Sequence, residues 1–223
     1  MQDIINHVEK SLYFGEKEVS KLTDEIMQIE GLTSKKVKCF LNNLCGFDGA
    51  SYLEMGSYKG ATFCAAIYGN EINSIAIDDW KDLELLPAAF SIWQVPTSAK
   101  PKTNPYDIFV KNLSKCNFAG KTQIINGNYL EIQPKDLNKK SNIIFYDGAH
   151  TFQDQYKVMS KIKDFTEDIF VLVVDDWNWE KRGILHGIVD FKYKELYKKE
   201  IFTKGEDPRN FWNGLGIFIL SNI

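Results

Sequence analysis

No stretch of this chain stays apolar for the ~18 residues that a membrane-spanning helix needs, and its first residues lack a signal-peptide core. Both absences point to a cytoplasmic protein with no membrane partner. Cysteine is sparse and scattered: Cys39, Cys45, Cys64 and Cys116 form no C-x-x-C pair, which disfavours a disulfide framework or a zinc ribbon. Cys64 falls in an apolar helical run and reads as a small packing residue. A basic excess is also missing. Lys and Arg total 27 against 30 Asp and Glu, a formal charge of −3, so nucleic acid is a disfavoured partner because neutralising phosphates needs a basic face. The lysines at 35–38 and 192–199 read instead as solvated helix faces. Finally, there is no G-x-G-x-x-G, the glycine pattern that seats a dinucleotide pyrophosphate.

What is present is an ordinary globular composition, 44% hydrophobic and 26% charged, of a length that suits one domain. Its central stretch is Ser51-Tyr-Leu-Glu-Met-Gly-Ser-Tyr-Lys-Gly-Ala-Thr-Phe-Cys-Ala-Ala-Ile67. The start is short and half apolar after the turn signal at 46–49, and the end is an Ala-rich helical run that stops at Gly69-Asn70. Glycines therefore fall where a strand hands over to a helix, the place where an open α/β sheet lets a nucleotide-like ligand approach the backbone. Residues 1–48 carry apolar positions at three- and four-residue steps and form an N-terminal helical region, with Thr33-Ser34 as a cap for a helix over 35–44. A homodimer contact or a cofactor lid is the use expected of it.

Strand and helix signals then alternate. Strands are predicted at 51–54, 73–77, 122–125, 142–146 and 169–174, helices at 61–68, 151–165 and 182–197, and closing strands at 200–203 and 212–220. The alternation implies an α/β fold with a doubly wound, mostly parallel sheet, and the continuous apolar strands 142–146 and 169–174 require cover on both faces. An insertion at 81–105, with Pro87, Pro96, Pro101 and Pro105 among aromatics, breaks the rhythm after the second strand and is expected to act as a lid or a surface excursion.

The strand ends carry the chemistry. Glu54, Gly56, Ser57, Tyr58 and Gly60 belong to the first strand–helix turn, where a ligand's amino-acid portion and ribose would lie. Asp78, about 20 residues past that turn, is spaced to accept from ribose hydroxyls, with Asp79 and Trp80 beside it. Asn128 and Tyr129 are candidates for the edge and face of an adenine. Asp147 and the pair Asp175-Asp176 end neighbouring strands, so three carboxylates converge. A hard cation such as Mg²⁺, Mn²⁺ or Ca²⁺ would relieve their repulsion. His150, three residues after Asp147 and just before a helix, is the candidate base for a hydroxyl proton. His7 and His186 read as exposed and packing residues. Trp177, Trp179 and Trp212 suit either a pocket or an interface.

Leu53-Glu-Met-Gly-Ser-Tyr-Lys-Gly60, Phe145-Tyr-Asp-Gly-Ala-His150 and Val173-Val-Asp-Asp-Trp177 together resemble the motifs of class I S-adenosylmethionine-dependent methyltransferases, Rossmann-like in fold. The similarity is to the macrocin O-methyltransferase-like group and its catechol-type relatives. It implies S-adenosylmethionine as cofactor, a metal held at Asp147, Asp175 and Asp176, Asp147 and His150 in catalysis, and a small-molecule hydroxyl as acceptor. His150 stands where catechol-type enzymes carry a lysine, Ala149 where macrocin-type enzymes often carry a base aspartate, and Gly127-Asn128 replaces a commoner Gly-Asp. The alternatives are a regulatory, non-catalytic cofactor-binding protein, a nicotinamide-dependent oxidoreductase, and a hydroxylase-like relative that needs iron and oxygen.

Overall fold

The computed structural model describes residues 2–80, 104–116 and 121–222. Three helices lead: α1 (Gln2–Glu16), the short α2 (Asp24–Met27) and α3 (Lys35–Leu44). Ser34 caps α3 by accepting from the Val37 N–H at 3.2 Å, which satisfies one of the free amides of the first turn. There follow β1 (Ser51–Met55), α4 (Ala61–Ile67), β2 (Asn73–Asp78), α5 (Pro105–Ser114), β3 (Thr122–Asn126) and β4 (Ser141–Tyr146). The chain closes with α6 (Phe152–Phe165), β5 (Thr166–Val174), α7 (Arg182–Asp190), β6 (Tyr193–Ile201) and β7 (Leu215–Asn222).

The seven strands form one sheet in the order β3-β2-β1-β4-β5-β7-β6. β1 to β5 run parallel, and β7 inserts antiparallel to both β5 and β6. Alternating side chains along each strand feed two apolar layers. Tyr52, Ile143, Phe145, Val171, Val173, Ile217 and Ile219 face the layer under α1, α3 and α4, while Leu53, Met55, Ile144, Tyr146, Leu172, Val174 and Phe218 face the layer under α6 and α7. Cover on both faces is why β4 and β5 are apolar almost without a break. Parallel order also brings the carboxyl ends of β1, β2, β4 and β5 to one edge, and the switch from β1 to β4 opens a crevice there.

Two expectations need correction. The helix expected over 182–197 ends at Asp190, and Tyr193–Ile201 is instead a strand paired along its length with β7. Lys192, at φ +59°, makes the turn between them. The closing strands accordingly occupy 193–201 and 215–222 rather than 200–203 and 212–220. A helix that was not expected, α5, starts at Asn104-Pro105, with the Asn104 side chain accepting from the Tyr106 N–H at 3.0 Å. Apart from those two residues, the insertion at 81–105 lies outside the described residues. No helix among the described residues is long and apolar enough to cross a membrane.

Candidate active site

A cavity of about 500 Å³ opens at the carboxyl edge of the sheet. That size suits a small-molecule site. Its floor is the turn after β1. Gly56 has φ +94°, and a Cβ there would run into the carbonyl of Asp147, so this turn and the end of β4 touch backbone to backbone. Ser57 and Tyr58 line the cavity, and the Tyr58 hydroxyl is buried without a hydrogen-bond partner.

Asp78 holds this turn. One carboxylate oxygen accepts from the Tyr58 N–H and the other from the Trp80 N–H, each at 2.7 Å. Trp80 in turn donates its indole N–H to the Tyr58 carbonyl at 2.7 Å and packs against Tyr106 and Phe109 of α5. Tyr58 and Trp80, at φ +43° and +46°, are both left-handed, and so are two further residues of the wall, Asp176 at +52° and Trp212 at +47°. Strain of this kind, about 1–3 kcal/mol per residue, persists where surrounding contacts impose it and gathers at functional sites. Asn128 turns its side-chain oxygen onto the Leu130 N–H, and the Tyr129 hydroxyl accepts from the Ala149 N–H at 3.0 Å. Both residues line the cavity, as do Asp79 and Trp80.

At the ends of β4 and β5, Asp147, His150 and Asp176 converge. His150 Nε2 is 3.0 Å from Asp176 Oδ2 and 3.9 Å from Asp147 Oδ1, and one donor atom from each residue falls within 4.8 Å of the others. Burial, then the negative charges of Asp176, Glu54 and Asp78, push the Asp147 carboxyl well above the usual carboxylate range. Asp176 is only 8% exposed, and its Oδ1 has no hydrogen-bond partner. Two carboxylates and an imidazole with an orphaned oxygen among them make a donor set that fits a divalent metal ion.

Three expected residues stand off the cavity wall. Asp175 is 1% exposed, and the side chains that meet at the cavity wall are those of Asp147, His150 and Asp176. The reason is local: the Asp175 N–H bonds the Tyr146 carbonyl and extends the β5 ladder, while the left-handed Asp176 turns out of it. Glu54 is fully buried behind Thr62. It accepts from the Tyr52 hydroxyl at 2.5 Å and the Thr62 hydroxyl at 3.0 Å, and burial raises its pKa to about 8. Gly60 is the left-handed cap of α4, crowded by the Phe109 ring.

The far wall holds residues with no clear sequence signal. Glu206 and Trp212 come from the connection between β6 and β7, Trp179 from the turn after β5, and Leu32 and Thr33 from the N-terminal region. Of the tryptophans left open above, Trp179 and Trp212 line the cavity, whereas Trp177 is fully buried in the core.

Seven strands in this order, with a glycine-floored crevice at β1 and β4, have counterparts among solved structures. A proposed RNA methyltransferase from Pyrococcus horikoshii aligns over 97% of this chain and 96% of its own, with a TM-score of 0.54 at 14% identity. The chain has the class I methyltransferase fold. A proposed tRNA (m1A22) methyltransferase from Streptococcus pneumoniae, solved with S-adenosyl-L-methionine, matches 84% of this chain and 72% of its own, with a TM-score of 0.54 at 14% identity. TYW2 from M. jannaschii, solved with AdoMet, matches 80% and 71%, with a TM-score of 0.52 at 12% identity. No family model matches the chain, and no curated protein matches it in sequence.

Proposed function

We propose that the protein is an S-adenosylmethionine-dependent O-methyltransferase that acts on a small-molecule hydroxyl with the help of a divalent metal. The observation that carries this reading is the meeting of Asp147, His150 and Asp176 on the wall of the cavity floored by the Gly56 turn. The cofactor would lie along β1 and β2, its amino-acid end near Ser57, its ribose near Asp78 and Asp79, and its adenine near Trp80, Asn128 and Tyr129. Asp78 already accepts from the Tyr58 and Trp80 N–H groups and keeps lone-pair capacity for a ribose hydroxyl.

Asp147 and Asp176 would hold the metal, with His150 Nε2 facing the same small volume. When bound, such an ion lowers the pKa of an acceptor hydroxyl and orients it. His150 is the side chain of this chain positioned to take the hydroxyl proton. S-adenosylmethionine would supply the methyl group, which would pass to the acceptor oxygen as the carbon–sulfur bond breaks and leave S-adenosylhomocysteine. Ala149 leaves the position between Gly148 and His150 without a carboxylate.

The decisive experiment is calorimetry of metal-stripped protein with S-adenosylmethionine, followed by Mn²⁺. Saturable one-to-one cofactor binding is expected, with a further metal heat that Asp147→Asn removes. Absence of cofactor binding to the wild-type chain would end the reading. A second reading, an RNA acceptor, is favoured by what the structural neighbours are named for. It is disfavoured by the acidic lining of the cavity and by the net charge of −3.

A further inference from the structure

We propose that the acceptor is a cation, an amine-bearing hydroxyl compound whose positive group is recognised by Glu206 together with the indoles of Trp179 and Trp212. This rests on the methyltransferase reading above and adds the charge class of its substrate.

Among the described residues six carboxylates line the cavity, those of Asp78, Asp79, Asp147, Asp154, Asp176 and Glu206, against one lysine, Lys59. Lys59 is turned toward the rim, with its ammonium 4.0 Å from Glu30 and over the Tyr58 ring at 5.2 Å. A divalent ion and a sulfonium cofactor offset part of this negative charge and leave an excess. Of these carboxylates, Glu206 comes from the connection between β6 and β7, apart from Asp78 and Asp79 on the cofactor side. Glu206 feels the charge of Asp176 and forms no ion pair among the described residues. The orphaned Asp176 Oδ1 is taken up by the metal in the methyltransferase reading, which leaves Glu206 as a carboxylate open to the acceptor. A cationic ligand also gains from aromatic faces. Trp179 is 53% exposed and packs edge-on to His150 with ring centres 5.3 Å apart, and Trp212 is held beside Glu206 by the bridge between Asp207 and Trp212. An anionic acceptor, a polynucleotide included, would meet repulsion from the same groups.

The support for this wall is specific. The Asn178 side chain donates to Thr203 O, Thr203 Oγ1 and Asn213 Oδ1, and the Thr203 hydroxyl donates to the Trp212 carbonyl at 2.7 Å. These bonds lock the connection that carries Glu206 onto the turn that carries Asp176 and Trp179.

The test titrates protein saturated with S-adenosylhomocysteine and Mn²⁺ with two catechols that differ in side-chain charge. Dopamine is the cation and 3,4-dihydroxyphenylacetate the anion. Dopamine is expected to bind about tenfold tighter or better, the size of one partly desolvated ion pair. Glu206→Gln is expected to remove most of that preference and Trp179→Ala to weaken dopamine, both with unchanged affinity for S-adenosylhomocysteine. Equal affinity, preference for the anion, or no binding of either catechol to the cofactor-loaded protein overturns the proposal alone. Displacement of dopamine by bulk tRNA overturns it in favour of a nucleic-acid acceptor. Failure to bind S-adenosylhomocysteine overturns the methyltransferase reading and this proposal with it.

Discussion

Gly56 shows how a single position serves both fold and site. Its left-handed backbone and the nearby Asp147 carbonyl exclude any side chain. Gly56→Ala is expected to cost about 2 kcal/mol or more, since the left-handed region alone carries ~1–2 kcal/mol for an L residue. It should also abolish S-adenosylhomocysteine binding, because relief of the clash would part β1 from β4. Denaturant melts and calorimetry on the same variant check both. Full cofactor affinity in the variant would mean that the turn does not form the floor of the site. Glu54 makes a pH-dependent contribution. Its folded pKa of about 8 stands above the ordinary carboxylate value, so between those two pH values the folded state holds a proton that the unfolded chain releases. Its contribution is complete below the unfolded pKa and is lost as pH rises to about 8, on the order of 5 kcal/mol at most. Melting temperatures of the metal-free protein should fall across that window, and Glu54→Gln should flatten the fall. A variant as steep as wild type would place the slope on Asp147 and Asp175, whose carboxyls are raised in the same direction.

Among the elements, the connection from β6 to β7 depends most on a few hydrogen bonds. Asn178→Ala leaves the Thr203 carbonyl and the Asn213 side chain without their donor, a loss of about 1–3 kcal/mol. Hydrogen exchange should quicken for amides at 203–214 and stay slow in β1–β5, and uniform quickening would contradict the local account. This connection is also where the sequence was least legible. The five parallel strands were readable because each is a short apolar run ending in a polar or acidic residue, and their ends supply much of the cavity lining: the Gly56 turn, Asp78, Asp147 and Asp176. β6 was not, because Lys194, Glu195, Leu196, Lys198 and Lys199 favour a helix locally, and only pairing with β7 makes them a strand. Helix α5 left a usable sign, Asn104-Pro105 followed by apolar Tyr106, Phe109 and Leu113, obscured by the prolines before it. Glu206 left none, since a lone Glu after Gly205 marks a turn until the fold returns it to the sheet edge. That Asp176 rather than Asp175 reaches the cavity wall was equally hidden, because which carboxylate of an Asp-Asp pair faces outward depends on a single backbone dihedral.

At the scale of the whole molecule, the parallel order that builds the crevice also forces like charges together. Asp147 and Asp175 end adjacent strands, Asp176 follows at once, and each of Asp147 and Asp175 is held up by burial and by its neighbours. The unliganded protein therefore carries electrostatic strain at one edge of its sheet, and a bound metal would turn that strain into affinity. Asp147→Asn should melt higher than wild type in the absence of metal, by the equivalent of about 1 kcal/mol, because one of the repelling charges is gone. Mn²⁺ at a hundred times its dissociation constant should add ~2.7 kcal/mol of stability to wild type and little to the variant. Thermal melts of both proteins with and without Mn²⁺ at neutral pH read the two effects together. A variant that melts lower and still responds to Mn²⁺ would show that Asp147 neither strains the fold nor holds a metal, leaving the cluster as ordinary turn aspartates. The opposite pair of outcomes would show one set of residues limiting the stability of the empty fold and giving it a reason to bind.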